Sequence, residues 1–255
     1  MSSGVDVVGD IAILKLPGIG VADKEKVAKT IMEQTKTVKC VFEQEGGIEG
    51  EFRLRNLRHI GGDDRTVTMH RENGCRLKVD VARCYFSPRL STERLRIADQ
   101  SGHGETVLNM FAGVGPFSVL IAKRQRAKVL SCELSEVACE YHRENNRLNK
   151  VEDLVDVLNA DAMDLPKLTR RKFDRILMPH PSQSHRFLQT AVMMAKKGAT
   201  IHYYRHVLGR DEGDAAASLR SELDGALPAR SSYTVRRVRE VGPRWIEMAA
   251  DVELP

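Results

Sequence analysis

Apolar and polar residues change rhythm once along this chain, close to residue 85. Before that point the pattern is mixed. VDVVGDIAILKL (5–16) combines alternation with β-branched residues and predicts one strand. Helical spacing follows over 21–35, with Val27, Ala28 and Ile31 on one face. VKCVFEQ, EFRLRNL, RTVTMHR and CRLKVDVAR predict further strands, the last two flanking Glu72-Asn73-Gly74. Asn-Gly readily takes the positive φ angles of a tight turn, so this pair predicts a β-hairpin. Residues 1–85 are expected to form a small α+β domain.

From residue 86 to 255 strands and helices alternate, which predicts a second domain. A helix over 90–100 precedes the short apolar strand ETVLNMFA, and a glycine-rich turn leads into a helix over 114–123. AKVLSCEL is the next strand, and Ser135 is placed to cap the helix EVACEYHRENNRLNK. VDVLNAD, FDRILMPH and ATIHYYRH continue the strands, with helices over 184–197 and 213–224. SYTVRRVRE and RWIEMAADVEL alternate and read as a closing antiparallel pair. This βαβ rhythm predicts an α/β fold, a mostly parallel sheet with helices on both faces.

Composition narrows the class. The chain has 255 residues, 42% of them hydrophobic, enough for two cores, and a net charge of +5 that suits a polyanionic partner. Its five cysteines form no CxxC pair and no zinc-site spacing, so reduced thiols in a cytoplasmic protein are expected, with no metal. No stretch approaches the roughly 20 apolar residues that span a bilayer, and the N-terminus lacks a secretory pattern, so no membrane partner is expected. A monomer is expected.

The chemistry concentrates in LNMFAGVGPFS (108–118), where the first strand of the second domain passes into a helix. Gly113 and Gly115 allow a sharp turn and close approach of a ligand. A third glycine at dinucleotide spacing is missing, which favours a ligand without a pyrophosphate. Glu133, at the end of the second strand, suits the two hydroxyls of a ribose, and Asp161, after the third, suits an adenine amino group. Glycine turn and two acids in this order fit S-adenosyl-L-methionine.

These residues and several longer stretches carry a family resemblance. VGDIAILKLP, GEFRLRNLRHIGG, RTVTMHRENGCRLKVDVARCYFSPRLSTERLRI, MFAGVGPFS, RENNRLNKVED and GATIHYY are similar to the archaeal and eukaryotic tRNA (guanine-N1) methyltransferases that act 3′ of the anticodon. The resemblance covers nearly the whole chain. It implies a Rossmann-like class I methyltransferase fold with a seven-stranded sheet, and the tRNA anticodon stem-loop as partner. It implies that Arg53 contacts O6 of the target guanine, that Glu93 is the general base, and that Pro179 lies at the reacting centre. It assigns cofactor contacts to Arg94, Phe111, Ala112, Gly113, Gly115, Glu133, Leu134, Asp161, Ala162 and Pro179, and matches His202-Tyr203-Tyr204 to a family stretch. The chemistry is coherent: N1 of guanine must lose a proton to attack the methyl sulfonium, and a guanidinium at O6 stabilises the charge that develops there.

Two departures stand out. Asn109 replaces the family's aspartate, a lost charge expected to weaken cofactor binding, and Pro179-His180-Pro181 replaces Asn-Leu-Pro. His180 either substitutes for the lost polar contact or points to solvent, the commoner place for a histidine. Relatives carry a further N-terminal domain that grips the tRNA elbow, and this chain begins after it. Specificity is then expected from the small domain, a partner or basic clusters at Arg53, Arg55, Arg58, 123–126 and 170–172, each of which singly reads as a solvated face. Alternatives are a wyosine-pathway methyltransferase or aminocarboxypropyltransferase at the same nucleotide, and a non-catalytic RNA-binding module with a methyltransferase shell.

Overall fold

The computed structural model describes residues 4–50 and 52–255, with the backbone alone at 48 and 49; Glu51 of the EFRLRNL stretch lies outside the described residues. The stretch expected as one strand is a hairpin, β1 (Asp6–Val8) against β2 (Ile11–Leu14). Gly9 makes the turn at φ +58°, and a Cβ there would meet Thr68 Oγ1 at 2.1 Å, so only glycine fits. Helix α1 (Val21–Gln34) then crosses over to β3 (Cys40–Glu49), parallel to β2, and β4 (Leu54–Gly62) returns antiparallel. Both faces of this sheet's central strand β2 are buried. Ala12 and Leu14 pack under α1 with Ala28, Val27 and Ile31, while Ile11, Ile13 and Phe42 face the second unit and join its core.

The hairpin β5 (Val67–Glu72) and β6 (Cys75–Asp80) turns at Asn73 (φ +45°) and Gly74 (φ +75°). It bridges the two units. On one side Thr68 and His70 accept hydrogen bonds from the backbone of Asp10 and Gly9. On the other, two asparagines one helical turn apart complete the open edge of β6. Asn145 bonds Lys78 N (2.7 Å) and Lys78 O (3.1 Å), and Asn149 bonds Arg76 N (3.0 Å) and Arg76 O (2.7 Å). These satisfy backbone groups that a buried edge would otherwise leave unpaired.

The second unit contains helix α2 (Ser91–Gln100), β7 (Thr106–Asn109), α3 (Pro116–Gln125), β8 (Lys128–Glu133), α4 (Glu136–Asn149) and β9 (Val155–Asn159). It continues through α5 (Leu165–Leu168), β10 (Phe173–Met178), α6 (Ser184–Met194), β11 (Ala195–Leu208), α7 (Glu212–Ala226), β12 (Ser232–Gly242) and β13 (Trp245–Glu253). Ser135 caps α4, its side chain accepting from Ala138 N. The seven strands run in the order β12-β13-β11-β10-β7-β8-β9, parallel except for β13, which is antiparallel to both neighbours. The chain leaves β7 toward β8 on one side and later places β10 on the other, so a crevice opens where those strand ends diverge. Among the described residues no helix is long and apolar enough to cross a membrane, and no group of three or more His, Cys, Asp or Glu could hold a metal ion.

Candidate active site

A cavity of about 120 Å³ occupies that crevice, at the ends of β7, β8, β9 and β10. Gly113 (φ +55°) and Gly115 (φ +86°) turn the chain from β7 into α3. Gly113 N donates to Glu133 Oε2 at 2.7 Å, and Ser135 N donates to Oε1 at 2.8 Å. Burial raises the Glu133 pKa, opposed by these backbone N–H groups. Each carboxylate oxygen keeps a lone pair, so Glu133 can still accept from two hydroxyls. Asp161 caps a short turn through Oδ1, which accepts from Met163 N at 2.8 Å. Phe111 walls the cavity between His180 and Phe187, its ring 5.1 Å and 4.9 Å from theirs, edge to face. Leu134, Ala162 and Pro179 complete the lining.

A second and larger cavity of about 800 Å³ lies between the two units. Lys15, Arg53, Arg55, Arg89 and Arg239 line it, against the acids Asp6 and Glu240, with Trp245 exposed at its rim. Asp6 is shared by Arg55 (3.0 Å) and Arg89 (2.6 Å), and Arg239 is held by Glu247 (2.6 Å). Arg53 sits in the left-handed region (φ +55°), its guanidinium 4.4 Å over the Tyr85 ring. Such backbone costs about 1–3 kcal/mol and gathers at functional sites. Four residues, Arg53, Tyr85, His180 and Gln183, line both cavities.

Other expected site residues stand elsewhere. Glu93 is 5% exposed and lines neither cavity. Its carboxylate accepts from Tyr204 Oη (2.5 Å), from Arg96 (2.9 and 3.1 Å) and from Arg236. Burial raises its pKa, but these donors and charges prevail and lower it, so the carboxylate is held ionised. Arg94 also stands off the cavity lining. It is 2% exposed, paired with Glu72 at 2.5 and 2.6 Å, donating to Ser87 O and stacked near Phe86, so it braces the 85–87 loop instead of meeting the cofactor cavity. Ala112 and Gly115 lie behind the lining: Ala112 N bonds Cys132 O, and Gly115 makes room for the His142 ring. Asn109 is fully buried, donating to Ser118 Oγ (3.1 Å) in a network with Ser131. It does not line the cavity, and its Oδ1 accepts from the backbone N–H of Phe111, which does, at 3.4 Å.

His180 is partly buried and points inward, not to solvent. A short turn, His180 N to Met178 O at 2.8 Å, aims it there. Its Nδ1 is sealed without a partner among the described residues. Burial, then the charge of Arg53, pushes its pKa down to about 4. Tyr85, Gln183, Arg239 and Trp245 were not singled out from sequence. Only Tyr85 carried a signal, standing where the apolar rhythm changes.

Residues 68–215 match the model of the TRM5/TYW2 methyltransferase domain, and residues 1–66 match that of the TYW2 N-terminal domain. A tRNA (guanine(37)-N(1))-methyltransferase of Pyrococcus abyssi is 43% identical over 204 residues, 80% of this chain and 60% of that protein. The chain thus spans less than two thirds of that relative's length. A tRNA 4-demethylwyosine(37)-methyltransferase of Saccharolobus solfataricus is 30% identical over 251 residues, 98% of this chain and 93% of that protein. The solved complex of aTrm5 and tRNALeu superposes with a TM-score of 0.87 at 33% identity, over 99% of this chain and 72% of that one.

Proposed function

This chain belongs to the TRM5/TYW2 methyltransferase family, and from that premise we propose that it methylates N1 of the guanine 3′ of the anticodon in tRNA, with S-adenosyl-L-methionine as donor. The observation that carries the reading is the meeting of two cavities at Arg53, Tyr85, His180 and Gln183. One is partly aromatic and held by carboxylates, the other larger and lined by cations. A cofactor on one side and a splayed nucleotide on the other would touch across that wall.

The residues of the smaller cavity fit the cofactor. Glu133 has two free lone pairs for the ribose diol, Asp161 keeps Oδ2 for an adenine amino group, and Phe111 and Leu134 supply apolar walls for the base. When bound, S-adenosyl-L-methionine supplies a methyl group already activated on a sulfonium. Arg53 lines both cavities, and from there its guanidinium would hold O6 and stabilise charge that builds as N1 loses its proton. Lys15 and Arg239 offer phosphate contacts, and Trp245 a stacking surface, suited to single-stranded loop nucleotides. We further propose that the small α+β unit faces the RNA and that the enzyme works as a monomer in the cytoplasm; the five free, buried cysteines accord with a reducing compartment.

Methylation of the tricyclic wyosine precursor at the same nucleotide is the second reading. It is favoured by the match of residues 1–66 to the TYW2 N-terminal domain and by the Saccharolobus solfataricus relative, 30% identical over 98% of this chain. Calorimetry of cofactor binding followed by methyl transfer to two tRNAs, one unmodified and one carrying the precursor, separates the readings. Methylation of the unmodified tRNA supports the first, turnover on the precursor alone the second, and absence of cofactor binding leaves an RNA-binding shell. Transfer of the aminocarboxypropyl group would be recognised by the mass of the product nucleoside.

A further inference from the structure

The hairpin of β12 and β13 borders the larger cavity and carries features that methyl transfer itself does not use. Trp245, the only tryptophan in the chain, opens β13 and is 45% exposed. Its cross-strand partner on β11, Leu208, is exposed as well, so the two form an apolar shelf at the rim. Glu247 lies two residues further along β13, on the same face and about 7 Å away. It is buried and holds Arg239, its partner on β12, at 2.6 Å. Arg239 also donates to Ser87 Oγ at 3.3 Å, in the segment that carries Tyr85. The tip of the hairpin is pinned where Gly209 N donates to Arg244 O at 2.9 Å. A fixed guanidinium therefore stands between an open indole and the wall where target base and cofactor would meet.

We propose that this hairpin is a second nucleotide subsite: Trp245 stacks on the base next to the target guanine, and Arg239 grips the phosphate that joins the two nucleotides. The inference rests on the tRNA reading above. A cavity of about 800 Å³ lies near the top of the range that whole small-molecule ligands fill, about 300–1,000 Å³, so one splayed base leaves room in it. An indole offers every base a stacking face, and a guanidinium matches the paired oxygens of a phosphate. Charge selects RNA over a protein partner for the shelf, because five Lys and Arg side chains against two acids line the same cavity. Drawing the neighbouring base onto Trp245 also breaks its stack with the guanine, which frees the guanine to leave the loop and reach the wall between the cavities.

The test uses the full chain and an anticodon stem-loop with guanine 3′ of the anticodon, alongside stem-loops made abasic at one flanking nucleotide or the other. Tryptophan fluorescence, excited where tyrosine does not absorb, reports from Trp245 alone. It should be quenched by the intact stem-loop and, at saturating RNA, stay unquenched with one of the two abasic forms. Trp245→Ala should raise KM for the intact RNA by about 5–150-fold and lower kcat less, and Trp245→Phe should recover most of that loss. On the sensitive abasic RNA the alanine variant should lose nothing further. A neutral methylphosphonate at the linkage Arg239 grips should reduce the slope of log Kd against log salt by about 0.7. Fluorescence unmoved by RNA that a gel shift shows to be bound overturns the proposal and leaves the shelf to a protein partner. A Trp245→Ala KM within about twofold of wild type, or an equal loss on all three RNAs, overturns it too, and an unchanged salt slope with either flanking linkage neutralised overturns the phosphate grip. Wild type whose fluorescence responds as expected but which makes no N1-methylguanosine leaves the subsite standing and sinks the methylation reading alone.

Discussion

Replacing Gly115 by alanine tests how the glycine turn is built. The residue sits at φ +86°, and a Cβ there would stand 2.2 Å from His142 Cδ2 and 2.3 Å from Nε2. His142 is fully buried beneath the turn and has little room to move. Left-handed backbone costs an alanine about 1–2 kcal/mol, and forcing a methyl into a packed ring about 1–3 kcal/mol more. The sum is roughly 2–5 kcal/mol, or roughly 4–20 °C in Tm for a protein of this size. Thermal and urea unfolding of Gly115→Ala, His142→Ala and the double variant would measure it. Removing the ring relieves the clash but not the backbone strain, so the double variant should be more stable than the two single losses predict when added. Strict additivity, or a Gly115→Ala Tm within about 1 °C of wild type, would refute this reasoning.

Further outcomes follow from named contacts. Asn145→Ala strands Lys78 N, Lys78 O and Val114 O and should cost about 2–4 kcal/mol in urea unfolding, with faster amide exchange in β6. Glu93→Gln should lose about 2–3 kcal/mol of stability in urea unfolding, since Arg236 loses its anion and Arg96 keeps only Asp251. Arg53→Ala should lower kcat/KM by roughly 10²–10³ with cofactor affinity intact in calorimetry. His142 is held neutral, with its pKa pushed down to about 3, and His180 to about 4. Both titrate near 6.5 when unfolded, so the stability they confer is complete above pH 6.5 and is lost as pH falls toward 4 and 3. The loss is up to about 1.4 kcal/mol per pH unit for each. A urea midpoint that rises between pH 7 and 5 would contradict this.

Local signals in the chain were readable where one residue type dictates one backbone state. Asn73-Gly74 marked its hairpin and Ser135 its helix cap. Gly9 was less legible, because an apolar run on both sides hides a turn whose need for glycine comes from Thr68, distant in sequence. The surroundings of Glu93 and Arg94 were hidden for a related reason. Charges near a helix start suggest solvent, yet both lie on the buried face of α2, where Arg236 pairs with Glu93, Tyr204 donates to it and Glu72 pairs with Arg94, all from other elements. Asn145 and Asn149 looked like an ordinary polar helix face, and only the edge of β6 gives them a purpose. His180 could not be placed from sequence, because its direction depends on the turn after β10 and on Arg53 from the other unit.

The most direct test is to incubate purified protein with labelled-methyl S-adenosyl-L-methionine and an unmodified tRNA transcript carrying guanine 3′ of the anticodon, then digest and identify the nucleoside by mass spectrometry. The account predicts N1-methylguanosine at that position and none when the guanine is replaced by adenine. Label at any other atom or position, or no label on the transcript at all, would contradict it.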